Sequence, residues 1–250
     1  MERVSTKATR IGCVCGRYYR RSDKQRIAEA FHLGRLPEDF VLPPDYNVAP
    51  STFQPVIRAE KETGERELVL MHWGMVPYFA KSAAEFKGFS TINAKAETVA
   101  TNAMWRRPFE RRRCLVPMDG FYEWKRVDAK TKQPFAFGMR DGEPFALAGL
   151  WDAWKGPDGA WLQSYAVITT DANELMEPVH NRMPVILKPG EYDRWLARDD
   201  EGQPPTSLLP LLRPFDAEKM ERHAVDPRVG NVRVNEPRLC ETWSCPPNSA

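Results

Sequence analysis

The chain has 250 residues, 42% of them hydrophobic, and a formal net charge of +2 at pH 7. That composition supports a sizeable core in one large domain or two small ones, and it excludes bulk charge as a source of nucleic-acid affinity, which has to come from a local patch. No apolar run approaches a membrane span and the first residues lack a signal-peptide stretch, so the expectation is a soluble cytoplasmic protein with no membrane contact.

In chain order, Ser22 to Leu33 predicts a short helix, capped by Ser22 and ended by Gly34, with Ile27, Ala30 and Phe31 on one face. Pro37 to Pro50 reads as a proline-punctuated loop. Pro55 to Arg58 and Glu67 to Met71 predict strands joined by a hairpin around Thr63-Gly64. Asn93 to Ala103 has helical character from Ala94, Lys95, Ala96 and Glu97. The very basic segment Trp105 to Arg113 follows. Strands are expected over Cys114–Met118, Phe121–Val127, Pro134–Met139, Pro144–Leu150 and Trp161–Thr170, with turns at Asp141-Gly142 and Asp158-Gly159. Ala172 to Glu177 reads as a helical turn, and Pro189 to Ala197 as a helix with proline at its first position. Runs of strands with short interspersed helices, lacking regular βαβ alternation, imply an α+β fold with mostly antiparallel pairing. Residues 238–250 read as a flexible tail.

The five cysteines, Cys13, Cys15, Cys114, Cys240 and Cys245, are an odd number and match no familiar zinc spacing, so neither a disulfide framework nor a metal site is expected. Cys114 precedes Leu115-Val116 and reads as a buried small hydrophobe. His32 and His72 read as structural.

The chemistry lies in four separated segments: Cys15-Gly16-Arg17, Thr91 to Thr98, Asp119 to Lys125, and Pro178 to Pro184. Each is weak alone. A histidine before an apolar strand is usually structural, a glutamate in an aromatic strand can face solvent, and Asn93 can be an ordinary helix cap. Together, and in this order, they resemble the SOS-response-associated peptidase (SRAP) family. Further matches are Asn47-Val48-Ala49-Pro50, Trp73-Gly74 followed by Pro77, and Val229 to Val232, so the resemblance spans roughly Cys15 to Pro237. There are two departures. The family cysteine follows the initiator methionine directly, whereas Val14 and thirteen further residues precede Cys15 here; and Lys95 stands where the family often has arginine, which keeps the charge but not the bidentate fork.

The resemblance implies a single domain built on a mostly antiparallel, barrel-like sheet with peripheral short helices. It also implies a protein that recognises abasic sites in single-stranded DNA and becomes covalently attached to them, with no cofactor. A terminal cysteine carries an α-amine and a thiol that together close a thiazolidine on an aldehyde, and an opened abasic sugar presents an aldehyde. A GUG valine codon can initiate translation, so residues 1–14 are expected to be a misassigned or removable extension that leaves Cys15 as the amino terminus. By family position, Glu123 is the general acid/base, His180 acts on the sugar oxygen, and Asn93 holds the amine or aldehyde. Phe121, Tyr122 and Trp124 flank Glu123 in sequence, and packing of some of those rings around the carboxyl is expected to desolvate it. Arg17, Lys95 and Arg182 are the implied phosphate contacts, with Thr169 a weaker one, and Trp73 with Pro50 a platform beside the gap. Fork or 3′-junction DNA is a further possible partner, and the protein is expected to act as a monomer.

Two other readings stay open. Cys15, His180 and Asn93 can form a Cys-His-Asn peptidase set acting before Cys15, or the chain can be a plain single-stranded DNA-binding module. The run Arg106-Arg107 with Arg111-Arg112-Arg113 is either a DNA contact or a solvated basic face.

Overall fold

The computed structural model describes residues 15–34, 36, 41–86, 91–197 and 205–244. The expected extension 1–14, with Cys13, and Cys245 lie outside the described residues.

Five strands close on themselves. β3 (Phe53–Ala59) and β4 (Arg66–Trp73) form the expected hairpin, turned by Gly64 at φ 74°. β3 also pairs β6 (Arg113–Met118), which pairs β9 (Phe145–Lys155) antiparallel. β9 pairs β10 (Trp161–Asp171) antiparallel, and β10 returns to β4 in parallel through Ser164↔His72 and Tyr165↔Trp73. This ring is a small barrel. Three short strands extend it: β5 (Asn93–Lys95) and β11 (Arg182–Pro184) on β10, and β12 (Ile186–Leu187) on β9. A second, five-stranded sheet runs in the order β13-β8-β7-β1-β2: Met220–Ala224, Lys132–Met139, Gly120–Arg126, Tyr18–Arg20 and Asp45–Val48.

Period-two alternation divides the core into three layers. Val56, Met71, Trp73, Val116, Tyr165 and Val167 of the barrel pack with Tyr18, Phe121 and Phe137 of the second sheet. Their sequence neighbours Ile57, Leu115, Ala166 and Ile168 turn the other way, onto Ile27 and Phe31 of α1 (Lys24–Ala30), Phe109 of α2 (Arg106–Arg111) and Trp195 of α3 (Tyr192–Leu196). Tyr19, Tyr122 and Ala136, on the outer face of the second sheet, lie under Val225, Val229 and Leu239. The expected α+β class with antiparallel pairing and peripheral short helices is what the chain adopts.

Several local expectations are corrected. The first helix is shorter than 22–33 and is capped by Asp23, whose side chain accepts from Arg26 N. Ser22 is drawn off instead by buried Asp119, which accepts from its amide at 2.8 Å and its hydroxyl at 2.7 Å. Residues 93–95 form a strand rather than a helix, because three registered pairs with Val167, Ile168 and Thr169 outweigh a propensity of tenths of a kcal/mol. The loop expected over 37–50 contains β2, and the helix expected over 189–197 begins with a 3-10 turn at Pro189–Glu191. The tail expected from 238 is built in as far as 244. Leu239 is fully buried, His223 Nε2 lies 2.9 Å from the Cys240 carbonyl, and Trp243 N donates to Ala224 O at 2.8 Å.

Candidate active site

Cys15 enters β1 from the left-handed region, at φ 51°, and is fully buried. Its backbone N–H donates to Glu123 Oε1. Glu123 sits on β7 with the parity of Phe121, so its carboxyl turns into the layer between the sheets, where the residue is 4% exposed. Burial pushes this carboxyl up to about 8, only partly countered by the amides of Cys15 and Trp124 that bond to it. Of the three flanking rings Phe121 shares the carboxyl's face, whereas Tyr122 and Trp124 point to the opposite one and belong to the outer layer. Tyr122 ties its hydroxyl to Tyr46 O at 2.9 Å.

The other expected residues come from strand ends around β10. Asn93 opens β5 opposite Val167, and Ile92 before it packs in the same apolar cluster as Cys15. That cluster also holds Met176 and Met183 with Val179 against it, so the segments carrying Asn93 and His180 are seated on the core that buries Cys15. His180 N donates to Met176 O at 3.0 Å, and His180 Nδ1 accepts from the Arg182 amide at 3.1 Å. An accepting Nδ1 places the proton of the neutral ring on Nε2.

Of the expected phosphate contacts, Lys95 is exposed at the end of β5. Arg182 is only 16% exposed in its side chain; it pairs with Glu97 and Asp171 and donates to Thr169 O at 2.8 Å. It therefore ties the Asn93–Glu97 segment to the His180–Pro184 segment. Arg17 is turned into the protein: it bonds Asn47 Oδ1, Val229 O at 3.0 Å and Gly230 O at 3.0 Å. Thr169 is buried and donates to Ala94 O at 3.4 Å. The platform reading of Trp73 is corrected, because the ring is fully buried. It stacks on Tyr165 at 6.2 Å and 9°, leans on Tyr18 at 5.2 Å and donates to Ile92 O at 3.3 Å. Pro50 is half-buried beside it, where Ser51 N donates to Trp73 O at 2.8 Å.

The sequence reading missed a set of supporting residues. Asn47 Nδ2 reaches the carbonyls of Val229, Asn231 and Val234 at 3.3, 3.0 and 2.8 Å, so the Asn47 and Val229–Val232 motifs are two halves of one clamp that also holds Arg17. Gly120 is required by contact, since a Cβ there would lie 2.3 Å from the Tyr19 ring. Among the described residues, no group of three or more His, Cys, Asp and Glu side chains is placed to hold a metal ion.

A family model described as SOS response associated peptidase (SRAP) matches residues 14–232. The abasic site processing protein YoqW of Bacillus subtilis is 38% identical over 229 residues, covering 92% of this chain and 100% of its own. The abasic site processing protein YoaM of the same organism is 36% identical, covering 91% of this chain and 98% of its own. A crystal structure of a protein from Bacteroides thetaiotaomicron superposes with a TM-score of 0.81 at 24% identity, over 92% of this chain and 100% of that one, a likeness of fold.

Proposed function

The chain belongs to the SOS response associated peptidase family, and from that premise we propose that it processes abasic sites in DNA by attaching itself to them through Cys15. The observation that carries this reading is the bond from the Cys15 nitrogen to the buried Glu123 carboxyl. An ordinary internal cysteine gains nothing from a neutral acid held against its main-chain nitrogen. A terminal one gains a proton donor and acceptor at the atom that must attack.

The steps follow from the groups present. Opening of the abasic sugar moves a proton to the ring oxygen, a task suited to His180 Nε2–H, and exposes the aldehyde. The Cys15 amine adds to the aldehyde carbon to give a carbinolamine. Glu123, whose burial favours the protonated carboxyl, donates a proton to the carbinolamine hydroxyl, which leaves as water; the iminium so formed returns a proton to Glu123, and an imine remains. The Cys15 thiol then adds to the imine carbon and its proton passes to nitrogen, closing the thiazolidine. One water is released and nothing is oxidised or reduced. In this reading Asn93 holds the amine or aldehyde, and Lys95 a flanking phosphate of single-stranded DNA. The match of the family model from residue 14 supports a chain whose working terminus is Cys15.

The test compares a chain that retains residues 1–14 with one that begins at Cys15, each mixed with single-stranded DNA carrying an abasic site and read by intact mass. The expected result is an adduct, heavier by the DNA less one water, only where Cys15 is terminal. A stable adduct on a chain that still carries Met1 would overturn the mechanism. Loss of residues 1–14 during the incubation would move cysteine peptidase action before Cys15 to the front.

A further inference from the structure

We propose that the end of the barrel remote from Cys15 is a second nucleic-acid site, which grips the phosphate backbone of a single strand. A cavity of about 510 Å³ opens there. Among the described residues six cationic side chains line it against two acidic ones. Both acids are already engaged: Glu67 accepts from Arg58 Nε at 2.6 Å, and Glu60 accepts from the amides of Glu62 and Thr63 at 2.8 and 2.7 Å. The cavity lies at the Gln163 end of β10, where Arg58 donates to Gln163 Oε1 at 3.3 Å, whereas Asn93 and Lys95 lie at the Val167–Thr169 end. Four to six residues of strand, about 13–20 Å, separate Gln163 from the positions opposite Asn93 and Lys95.

A solvated basic face leaves its arginines loose, and this one does not. Buried Asp152 bonds Arg112 with one oxygen and accepts from the Tyr78 amide at 2.9 Å with the other. Arg112 is thereby fixed 5.2 Å from the centroid of Trp151, with Arg58 at 4.6 Å. The Arg107 guanidinium lies 4.4 Å over Tyr78. Arg107 and Arg111 are exposed and four residues apart on α2, hence on one face, with Cβ atoms about 5–6 Å apart, close to the spacing of successive phosphates. Tyr78 and Phe79, each about half exposed, supply apolar ring faces beside them. Cations that track phosphates next to exposed rings are what sequence-tolerant single-strand binding needs. Nucleic acid as the ligand class rests on the function proposed above. The site itself uses none of the Cys15 chemistry.

The test measures binding of the full chain to an undamaged single-stranded oligodeoxynucleotide, by fluorescence anisotropy over a series of salt concentrations. Arg107→Glu/Arg111→Glu is expected to weaken binding at least ten-fold and to flatten the plot of log affinity against log salt by about 1.4, two phosphate contacts on a single strand. Arg126→Glu/Lys130→Glu, exposed residues on the β7–β8 hairpin, controls for net charge and is expected to change the slope little. An unchanged slope in the α2 variant, an equal loss in the control, or binding of inorganic pyrophosphate without binding of the oligonucleotide would each overturn the proposal. If the chain beginning at Cys15 gives no adduct while its oligonucleotide binding still depends on Arg107 and Arg111, the covalent reading fails and this one stands.

Discussion

The Cys15 nitrogen and the Glu123 carboxyl are hydrogen-bonded partners 108 residues apart in sequence. Pairing of β1 with β7, Tyr18 opposite Phe121 and Tyr19 opposite Gly120, brings them together. The contact is thus set by sheet register: a slip of one residue would turn the carboxyl onto the outer face with Tyr122. The residues that hold the register are accordingly part of the reactive site.

Cys15→Ala, in a chain beginning at residue 15, keeps an amine and loses the thiol. It is expected to form an imine that borohydride traps but that does not survive denaturation without it. Cys15→Ser should give at most a labile adduct, because the hydroxyl is a far weaker nucleophile than a thiol near neutral pH. A denaturation-stable adduct with Cys15→Ala would show that the thiol closes no ring.

Glu123→Gln removes the proton donor and keeps the shape. The rate of adduct formation is expected to fall about 10²–10⁴-fold. In the wild-type protein the rate should rise as the α-amine loses its proton, at about pH 7.7–8.0, and fall again at higher pH as Glu123, held protonated by its burial, ionises. The residual rate of the glutamine variant should keep the rising limb and lose the alkaline fall. Single-turnover rates from pH 5.5 to 9.5 distinguish the two profiles.

The same carboxyl makes stability depend on pH, with a definite sign. Its folded value, about 8, lies above the ordinary 4.5. Between those values the folded protein holds a proton that the unfolded chain has released, so stability falls as pH rises. The contribution is complete below about pH 4.5 and is lost as pH climbs through about 8. Denaturant titrations should therefore show the wild type losing stability relative to Glu123→Gln from pH 5 to 9. A parallel course for the two proteins would mean that the carboxyl is ionised in the fold.

Much of this was legible in the sequence, for identifiable reasons. The barrel strands carry β-branched and aromatic residues at period two between Gly turns, and they appear close to where that pattern put them. Lys95 and its neighbours misled because Ala94, Ala96 and Glu97 are good helix formers, while the ladder to β10 that overrides them is set by residues some seventy positions away. Motif resemblance identified Trp73 as important but carried no information on exposure, and the ring proves to be core. For Glu123, alternation sends Tyr122 and Trp124 to the opposite face, which an expectation of rings around the carboxyl overlooks, and it does not say which face is inside. Family position points Arg17 at phosphate; its acceptors at Val229 and Gly230 lie more than two hundred residues on, a pairing no local pattern reveals.

That pairing yields the last prediction. Asn47 donates to three carbonyls of the 229–234 turn and accepts from Arg17, two residues from Cys15. Asn47→Ala removes every one of these bonds; Val229 O keeps its bond from Arg17, while the half-buried Val234 carbonyl and the Arg17 guanidinium each lose a partner, a loss of about 1–3 kcal/mol. Asn47→Asp keeps the acceptor for Arg17 and sets a carboxylate against three carbonyl oxygens, so it should be no better. Both variants are expected to melt several degrees below wild type and to form adduct more slowly at temperatures where they remain folded, because the Cys15-Gly16-Arg17 segment loses its anchor. Thermal melts paired with single-turnover rates at 20 °C check this. Reduced stability with an unchanged rate would show that the clamp supports the fold alone, and that β1 pairing with β7 suffices to hold Cys15 against Glu123.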